Sequence, residues 1–116
     1  MDLSQLETPC LVLDKGKLEK NIKKMRDHLA RLNVPLRLHV KTAKCMEAVR
    51  PALAGDAKSI TVSTLKEAEY FFSRGITDIL YAVGMAPTKF AHIARLRNQG
   101  ADIKIILDSM EQARAA

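Results

Sequence analysis

Three basic side chains stand at alternate positions near the middle of the sequence: Arg37, His39 and Lys41. The residues between them are apolar, and this strict alternation over Leu36–Lys41 predicts a β-strand with one cationic face and one apolar face. Burying three cations together without partners would cost several kcal/mol per ion. The polar face is therefore expected to meet either water or an anionic ligand.

Lys41 is placed where a reactive amine would be useful, because it ends the predicted strand. Enzymes built on parallel α/β sheets carry their sites at the carboxyl ends of the strands. The next predicted strand offers small hydroxyl side chains on one face, Ser59, Thr61 and Ser63, which leave room for a ligand. Lys41 is therefore a candidate Schiff-base lysine, and an ordinary solvated lysine is the alternative that spacing alone leaves open.

The first third of the sequence predicts a short strand followed by a long helix. Leu11–Leu13 is an apolar, strand-like run. Asp14 is suited to cap a helix, in which Leu18, Ile22, Met25, Leu29 and Leu32 recur at helical spacing. Asn33 and Pro35 are expected to end this helix.

The rest of the sequence alternates strands and helices. Strands are predicted at 36–41, 59–63, 78–83 and 103–107, and each is followed by a helical segment. Thr64 and Glu67 have the spacing of a capping box at the start of one helix. Gly55, Gly75 and Gly100 are each expected to close a helix, so the βα unit repeats four times.

This repetition predicts an α/β fold of βα units, about half of a (β/α)₈ barrel. A complete barrel needs roughly 250 residues, and an open, doubly wound sheet is the alternative at this length. We expect one partial barrel domain over residues 1–116. Its parts are an opening strand and helix over 1–33 and four βα units over 34–116.

Composition excludes several classes of protein. The 116 residues are 47% hydrophobic, with a net charge of +6. The basic residues are spread along the chain, which disfavours a nucleic-acid tail, and no apolar run approaches the roughly 20 residues of a membrane span. The two cysteines, Cys10 and Cys45, are expected to be reduced thiols. With no signal-peptide pattern at the N-terminus, they favour a cytoplasmic protein.

Five stretches together resemble the N-terminal part of fold-type III pyridoxal-phosphate enzymes, the alanine racemase N-terminal-domain class. They are T-P-C-L-V-L-D at 8–14, L-E-K-N-I at 18–22, R-L-H-V-K-T at 37–42, S-T-L-K-E-A-E at 63–69 and D-I-L at 78–80. The D-threonine aldolase and D-serine dehydratase group has the pattern T-P-x-L-V-x-D, L-x-x-N-I, R-P-H-x-K-T-H-K and A-T-x-x-E-A-E. Leu38 and Ala43 depart from it, and Ala43 leaves the subgroup and substrate open.

The resemblance implies a pyridoxal-phosphate-dependent lyase. It would act on D-amino acids or β-hydroxy-D-amino acids by aldol cleavage or dehydration. Lys41 matches the lysine that forms the Schiff base with the cofactor, and it is a candidate base for the α-proton. Arg37 and His39 match basic residues beneath or beside the cofactor.

The resemblance also implies that the 116 residues are the first half of a longer enzyme that forms a homodimer. The family's phosphate-binding loops would then lie in the second half of the barrel, and ligands for a divalent metal outside this chain. Four other functions stay open: a non-catalytic pyridoxal-phosphate homeostasis protein, an amino-acid racemase, an inert barrel fragment and a basic nucleic-acid binder. The T-P-x-L-V-x-D opening favours the enzyme over the homeostasis protein.

Overall fold

A computed structural model of the chain describes residues 2–53 and 59–116. The helices in this part of the chain are α1 (Lys15–Leu32), α2 (Met46–Val49), α3 (Leu65–Phe72), α4 (Phe90–Asn98) and α5 (Met110–Ala115). The strands are β1 (Leu38–His39), β2 (Ser59–Val62), β3 (Asp78–Gly84) and β4 (Asp102–Ile106). The chain divides into two compact units, one ending at Pro35 and one beginning at Leu36.

The first unit consists mainly of α1, and the predicted helix is confirmed. The carboxylate of Asp14 accepts a hydrogen bond from the backbone N–H of Lys17 at 2.9 Å and so caps the helix. Asn33 adopts the left-handed conformation with φ of 52° and ends the helix, as asparagine often does. Both ends are therefore set by residues next to them in the sequence.

The predicted opening strand at Leu11–Leu13 is wrong. Between residues 2 and 37 the structure contains no strand, and all three side chains of this run are exposed. A β-strand forms only where a neighbouring backbone completes its hydrogen bonds. An apolar run of three residues carries no information about such a neighbour.

The second unit contains a four-stranded sheet in the order β1-β2-β3-β4. All three pairings are parallel, and a helix follows each strand. This arrangement confirms the α/β class and the repeated βα units. β1 is shorter than the predicted Leu36–Lys41, although Val40 still donates its N–H to Thr61 at 2.9 Å.

The register of the sheet separates an apolar face from a polar one. Leu38, Ile60, Ile79 and Ile103 align across the four strands. One residue further along each strand, His39 aligns with Thr61, Leu80 and Lys104. Because side chains alternate between the two faces of a strand, these two rows lie on opposite faces.

The core of the second unit includes the apolar row and the inner faces of the helices. Its buried side chains are Val40, Met46, Val49, Ile60, Val62, Leu65, Ala68, Phe71, Ile76, Ile79, Tyr81, Met85, Ile93, Leu96, Ala101 and Ile103. Leu38, which departs from the family pattern, packs against this core from its half-buried position. It therefore lies on the face opposite His39.

The helix ends agree with the sequence at two of the three predicted glycines. Gly75 and Gly100 have φ of 90° and 101°, a conformation that glycine adopts without steric cost. Gly55 lies outside the described residues. The helix expected before it is short: α2 ends at Val49 and a 3₁₀ turn follows over Arg50–Ala52, because Pro51 does not continue a regular α-helix.

Candidate active site

The three cations predicted from the sequence have different surroundings in the structure. Arg37 and Lys41 are four residues apart, which corresponds to roughly 13 Å along an extended strand. Arg37 lies near Asp78, the first residue of β3, and so at the amino end of the sheet. Lys41 follows β1 at the carboxyl end, where parallel α/β enzymes carry their chemistry. His39 lies between them.

Arg37 is held by an ion pair that the sequence reading did not identify. Its guanidinium donates two hydrogen bonds to the carboxylate of Asp78, at 2.9 Å and 2.7 Å. Nη1 also lies 3.3 Å from the carbonyl oxygen of Ile60. Two parallel bonds of this kind give a strong, directional pair. The guanidinium of Arg37 is thus engaged by the protein itself.

Lys104 extends this pair into a network on the polar face. Its ammonium lies 2.7 Å from Asp78 and 2.6 Å from Asp102. The hydrogen bonds from Arg37 lower the pKa of Asp78; burial opposes this change, and Lys104 adds to it. The hydrogen bonds that Arg37 donates to Asp78 likewise raise the pKa of Arg37. The charges at the amino end are therefore compensated within the sheet.

The Asp78→Asn variant is expected to lose stability and part of its acid sensitivity. Because the pKa of Asp78 is lower in the folded chain, the ionised carboxylate stabilises the fold above the unfolded-state pKa of about 3.9. That contribution disappears as the pH falls through the folded-state pKa. We expect a loss of about 1–3 kcal/mol at neutral pH and a shallower decline below about pH 4, measured by urea denaturation.

Asp27→Asn is the matched control for this prediction. Asp27 pairs with Lys23 on α1, where both side chains are largely exposed, and exposed pairs contribute little. Its free energy of unfolding should stay close to that of the wild type at each pH. Equal acid slopes for the wild type and Asp78→Asn would contradict the role assigned to the network.

His39 connects the polar face to the turn that carries Lys41. Its Nδ1 accepts the backbone N–H of Lys41 at 3.3 Å, and its Nε2 lies 3.4 Å from the hydroxyl of Ser63. A ring nitrogen that accepts a hydrogen bond carries no proton. In this arrangement the proton is therefore on Nε2, which donates towards Ser63.

Lys41 presents a free amine. Its side chain is exposed, and across residues 2–53 and 59–116 its ammonium makes no hydrogen bond or ion pair. Lys44, three residues further along the chain, and Lys104, in β4, are both paired with carboxylates. An unpaired amine at the carboxyl end of a strand can react with a carbonyl group or accept a proton.

Glu67 is the functional candidate that the sequence reading treated only as a helix cap. The capping box with Thr64 is confirmed. Burial raises the pKa of Glu67, but the backbone N–H of Ser63, the ammonium of Lys44 and the N–H of Thr64 together bring it below its usual value. The carboxylate therefore stays ionised while it is buried between the loops that follow β1 and β2.

Residues 2–53 and 59–116 also bear on metal binding and membrane insertion. Within them, no group of three or more His, Cys, Asp or Glu side chains is arranged to hold a metal ion. No helix there has the length and apolar character needed to cross a membrane.

Comparison with known proteins relates this geometry to a family. The sequence matches the family described as alanine racemase, N-terminal domain, over residues 13–116. D-threo-3-hydroxyaspartate dehydratase of Delftia sp. (strain HT23) is 46% identical over 113 residues, which are 97% of this chain and 30% of the dehydratase. D-serine dehydratase of Dictyostelium discoideum is 31% identical over 119 residues, 98% of this chain and 30% of that enzyme.

Solved structures agree with the sequence matches. The Delftia dehydratase superposes with a TM-score of 0.91 at 46% identity, over 96% of this chain and 29% of the enzyme. D-threonine aldolase of Filomicrobium marinum superposes with a TM-score of 0.83 at 31% identity, over 97% of this chain and 30% of that enzyme. The sheet thus corresponds to the N-terminal half of the barrel, as predicted, and the chain spans less than a third of these relatives. The chain belongs to the alanine racemase N-terminal domain family.

Proposed function

We propose that this chain is the part of a pyridoxal-phosphate-dependent lyase that carries the cofactor lysine, Lys41. The substrate class is D-amino acids or β-hydroxy-D-amino acids, and the reaction is dehydration or aldol cleavage. The observation that carries the proposal is the amine of Lys41 at the carboxyl end of β1, which has no partner within residues 2–53 and 59–116. Similarity to dehydratases and an aldolase of this substrate class supports it.

The residues around Lys41 fit the aldehyde end of pyridoxal phosphate. The cofactor needs a free amine, and that of Lys41 has no partner in the part of the chain that the structure describes, whereas Lys44 is held by Glu67 at 3.2 Å. Ser63 and His39 lie beside the same turn and offer a hydroxyl and a ring N–H. Ser63 has a short side chain, which leaves space next to Lys41. These are the residues that would contact the cofactor from this chain.

Each residue has a distinct part in the proposed reaction. Lys41 would hold the cofactor through its Nζ, because an amine can bond to the aldehyde carbon of pyridoxal phosphate. When bound, pyridoxal phosphate acts as an electron sink for bonds at the substrate Cα. The Nζ of Lys41 would also be the base that takes the proton from the substrate Cα. His39 directs Ser63 and the backbone of Lys41 through its two ring nitrogens.

Arg37 has a supporting part in this proposal. Its guanidinium already bonds to Asp78 at the amino end of the sheet. It therefore holds the strand that carries His39 and Lys41, and it leaves the cofactor contacts to residues at the carboxyl end.

We extend the proposal to the full-length protein on the basis of its relatives. One solved structure of the Delftia dehydratase is a cysteine mutant in a metal-free form. This supports the proposal that residues outside this chain bind a divalent metal. The full-length protein in this proposal is a cytoplasmic homodimer. It binds a small amino-acid substrate and neither nucleic acid nor membrane.

The test is a product analysis on the full chain loaded with pyridoxal phosphate. D-serine, D-threonine and D-threo-3-hydroxyaspartate are supplied with and without a divalent metal. A keto acid with ammonia indicates dehydration, an aldehyde with an amino acid indicates aldol cleavage, and the L-isomer alone indicates racemisation. We expect one of the first two for the D-isomers and none for the L-isomers. Cofactor retained without turnover of any substrate would instead favour a homeostasis protein.

A further inference from the structure

The residues after β1 form a tight turn that carries Lys41. The backbone N–H of Lys44 donates to the carbonyl oxygen of Val40 at 2.9 Å and closes the turn. Lys44 has φ of 50°, a left-handed conformation that is unfavourable for a residue with a Cβ. Such a conformation persists where surrounding contacts hold it, and it occurs preferentially near functional sites.

Glu67 supplies a contact of this kind. Its Oε2 accepts the backbone N–H groups of Ser63 at 2.8 Å and Thr64 at 3.3 Å, which completes the helix cap. Its Oε1 is buried and makes no aligned hydrogen bond among the described residues. The ammonium of Lys44 lies 3.2 Å from this oxygen. A buried carboxylate oxygen is costly without a partner, so Lys44 is drawn towards it.

Tyr70, one turn further along α3, holds the other end of the same segment. Its hydroxyl oxygen accepts the backbone N–H of Met46 at 3.1 Å. Met46 is the first residue of α2, and the first N–H groups of a helix have no partner inside it. α3 therefore contacts the chain on both sides of Cys45 and connects the start of α2 to the turn that carries Lys41.

We propose that Glu67 is a positioning residue for Lys41. Its Oε2 caps α3, and its Oε1 holds Lys44 in the left-handed conformation that closes the turn. The turn then presents the Lys41 amine at the carboxyl end of β1. The inference rests on the proposed function, because it takes Lys41 as the lysine that binds the cofactor.

The experiment compares Glu67→Gln with Glu69→Gln in the full chain. Glutamine keeps an acceptor for the helix cap but removes the charge that faces Lys44. Glu69 lies on the same helix, and its carboxylate pairs with His92 and Arg95 instead, so its variant is a matched control. Hydrogen exchange of the Lys44 amide, in protein labelled with ¹⁵N-lysine, reports directly on the turn. The dissociation constant of pyridoxal phosphate reports on Lys41.

In Glu67→Gln we expect the Lys44 amide to exchange about tenfold faster and the cofactor to bind about tenfold more weakly, within the range of coupling between contacting residues. Exchange in the last turn of α3 should stay unchanged, and Glu69→Gln should match the wild type in both measurements. An unchanged Lys44 exchange rate in Glu67→Gln would overturn the inference.

A second variant separates positioning from helix capping. Lys44→Gln removes the partner of Glu67 without touching the cap, and its side chain is largely exposed, so folding should be preserved. We expect it to reproduce the weaker cofactor binding, and the double variant to be no weaker than either single one. Additive effects would overturn the inference. If the wild type binds no cofactor at Lys41, the proposed function fails, and the exchange rates still decide whether Glu67 holds the turn.

Discussion

Replacing Lys41 with alanine is expected to abolish covalent attachment of pyridoxal phosphate and to lower kcat/KM by roughly 10³-fold or more, as removal of a covalent catalytic group does. The physical reason is that Lys41 supplies the only group of the proposed site that can bond to the cofactor aldehyde and later take a proton from Cα. Borohydride reduction of the loaded full chain, followed by peptide mapping, locates the attachment. In the wild type we expect the phosphopyridoxyl group on the peptide that contains Lys41.

Lys66→Ala is the control for the Lys41 variant. Lys66 is an exposed lysine on α3, and the proposed site does not include it. Its variant should therefore retain both the labelled peptide and the activity. The Lys41→Ala protein could instead be labelled as fully as the wild type, on a peptide that already carries the label in the wild type. That outcome would remove the basis of the proposed function.

Replacing Phe71 with alanine is expected to lower the free energy of unfolding by about 3–5 kcal/mol. Phe71 is fully buried in the core of the second unit, and its ring meets that of Tyr70 edge to face, with centroids 5.0 Å apart. Alanine would leave a cavity on the inner side of α3, the helix that carries Glu67. Equilibrium urea denaturation of the full chain measures the change.

Phe72→Ala is the matched comparison for Phe71→Ala. Phe72 is the next residue of the same helix, and it is only half-buried against the core. The Phe72→Ala substitution removes the same atoms from a less tightly packed position, so we expect a clearly smaller loss of unfolding free energy. Equal losses at the two positions would contradict the core described for α3.

The parts of the fold that were predictable depend on neighbours in the sequence. Asp14 caps α1 through a residue three positions later, and Thr64 and Glu67 cap α3 in the same way. Gly75 and Gly100 end the preceding helices because each takes a positive φ. Such features combine short-range hydrogen bonds with backbone sterics, so residue type and spacing are sufficient to recognise them.

The partners of the site residues were not predictable in this way. Arg37 meets Asp78 across 41 positions of sequence, and Lys104 reaches Asp78 across 26. Asp78 begins β3, and its contacts with Arg37 and Lys104 depend on the register of the parallel sheet. The reading of Leu11–Leu13 as a strand failed for the same reason, because strand pairing is decided by distant backbone.

The sequence by itself determined the repeated βα units, the helix caps and Lys41 as the candidate amine, since periodicity and motif spacing are local properties. Only the tertiary structure decided which cations are free. It joins Arg37 to Asp78 at the amino end of the sheet and Lys44 to Glu67 beside the turn, and it leaves Lys41 without a partner among the described residues. Charge pairing depends on distances of a few ångströms between strands, and those distances exist only after the sheet has formed.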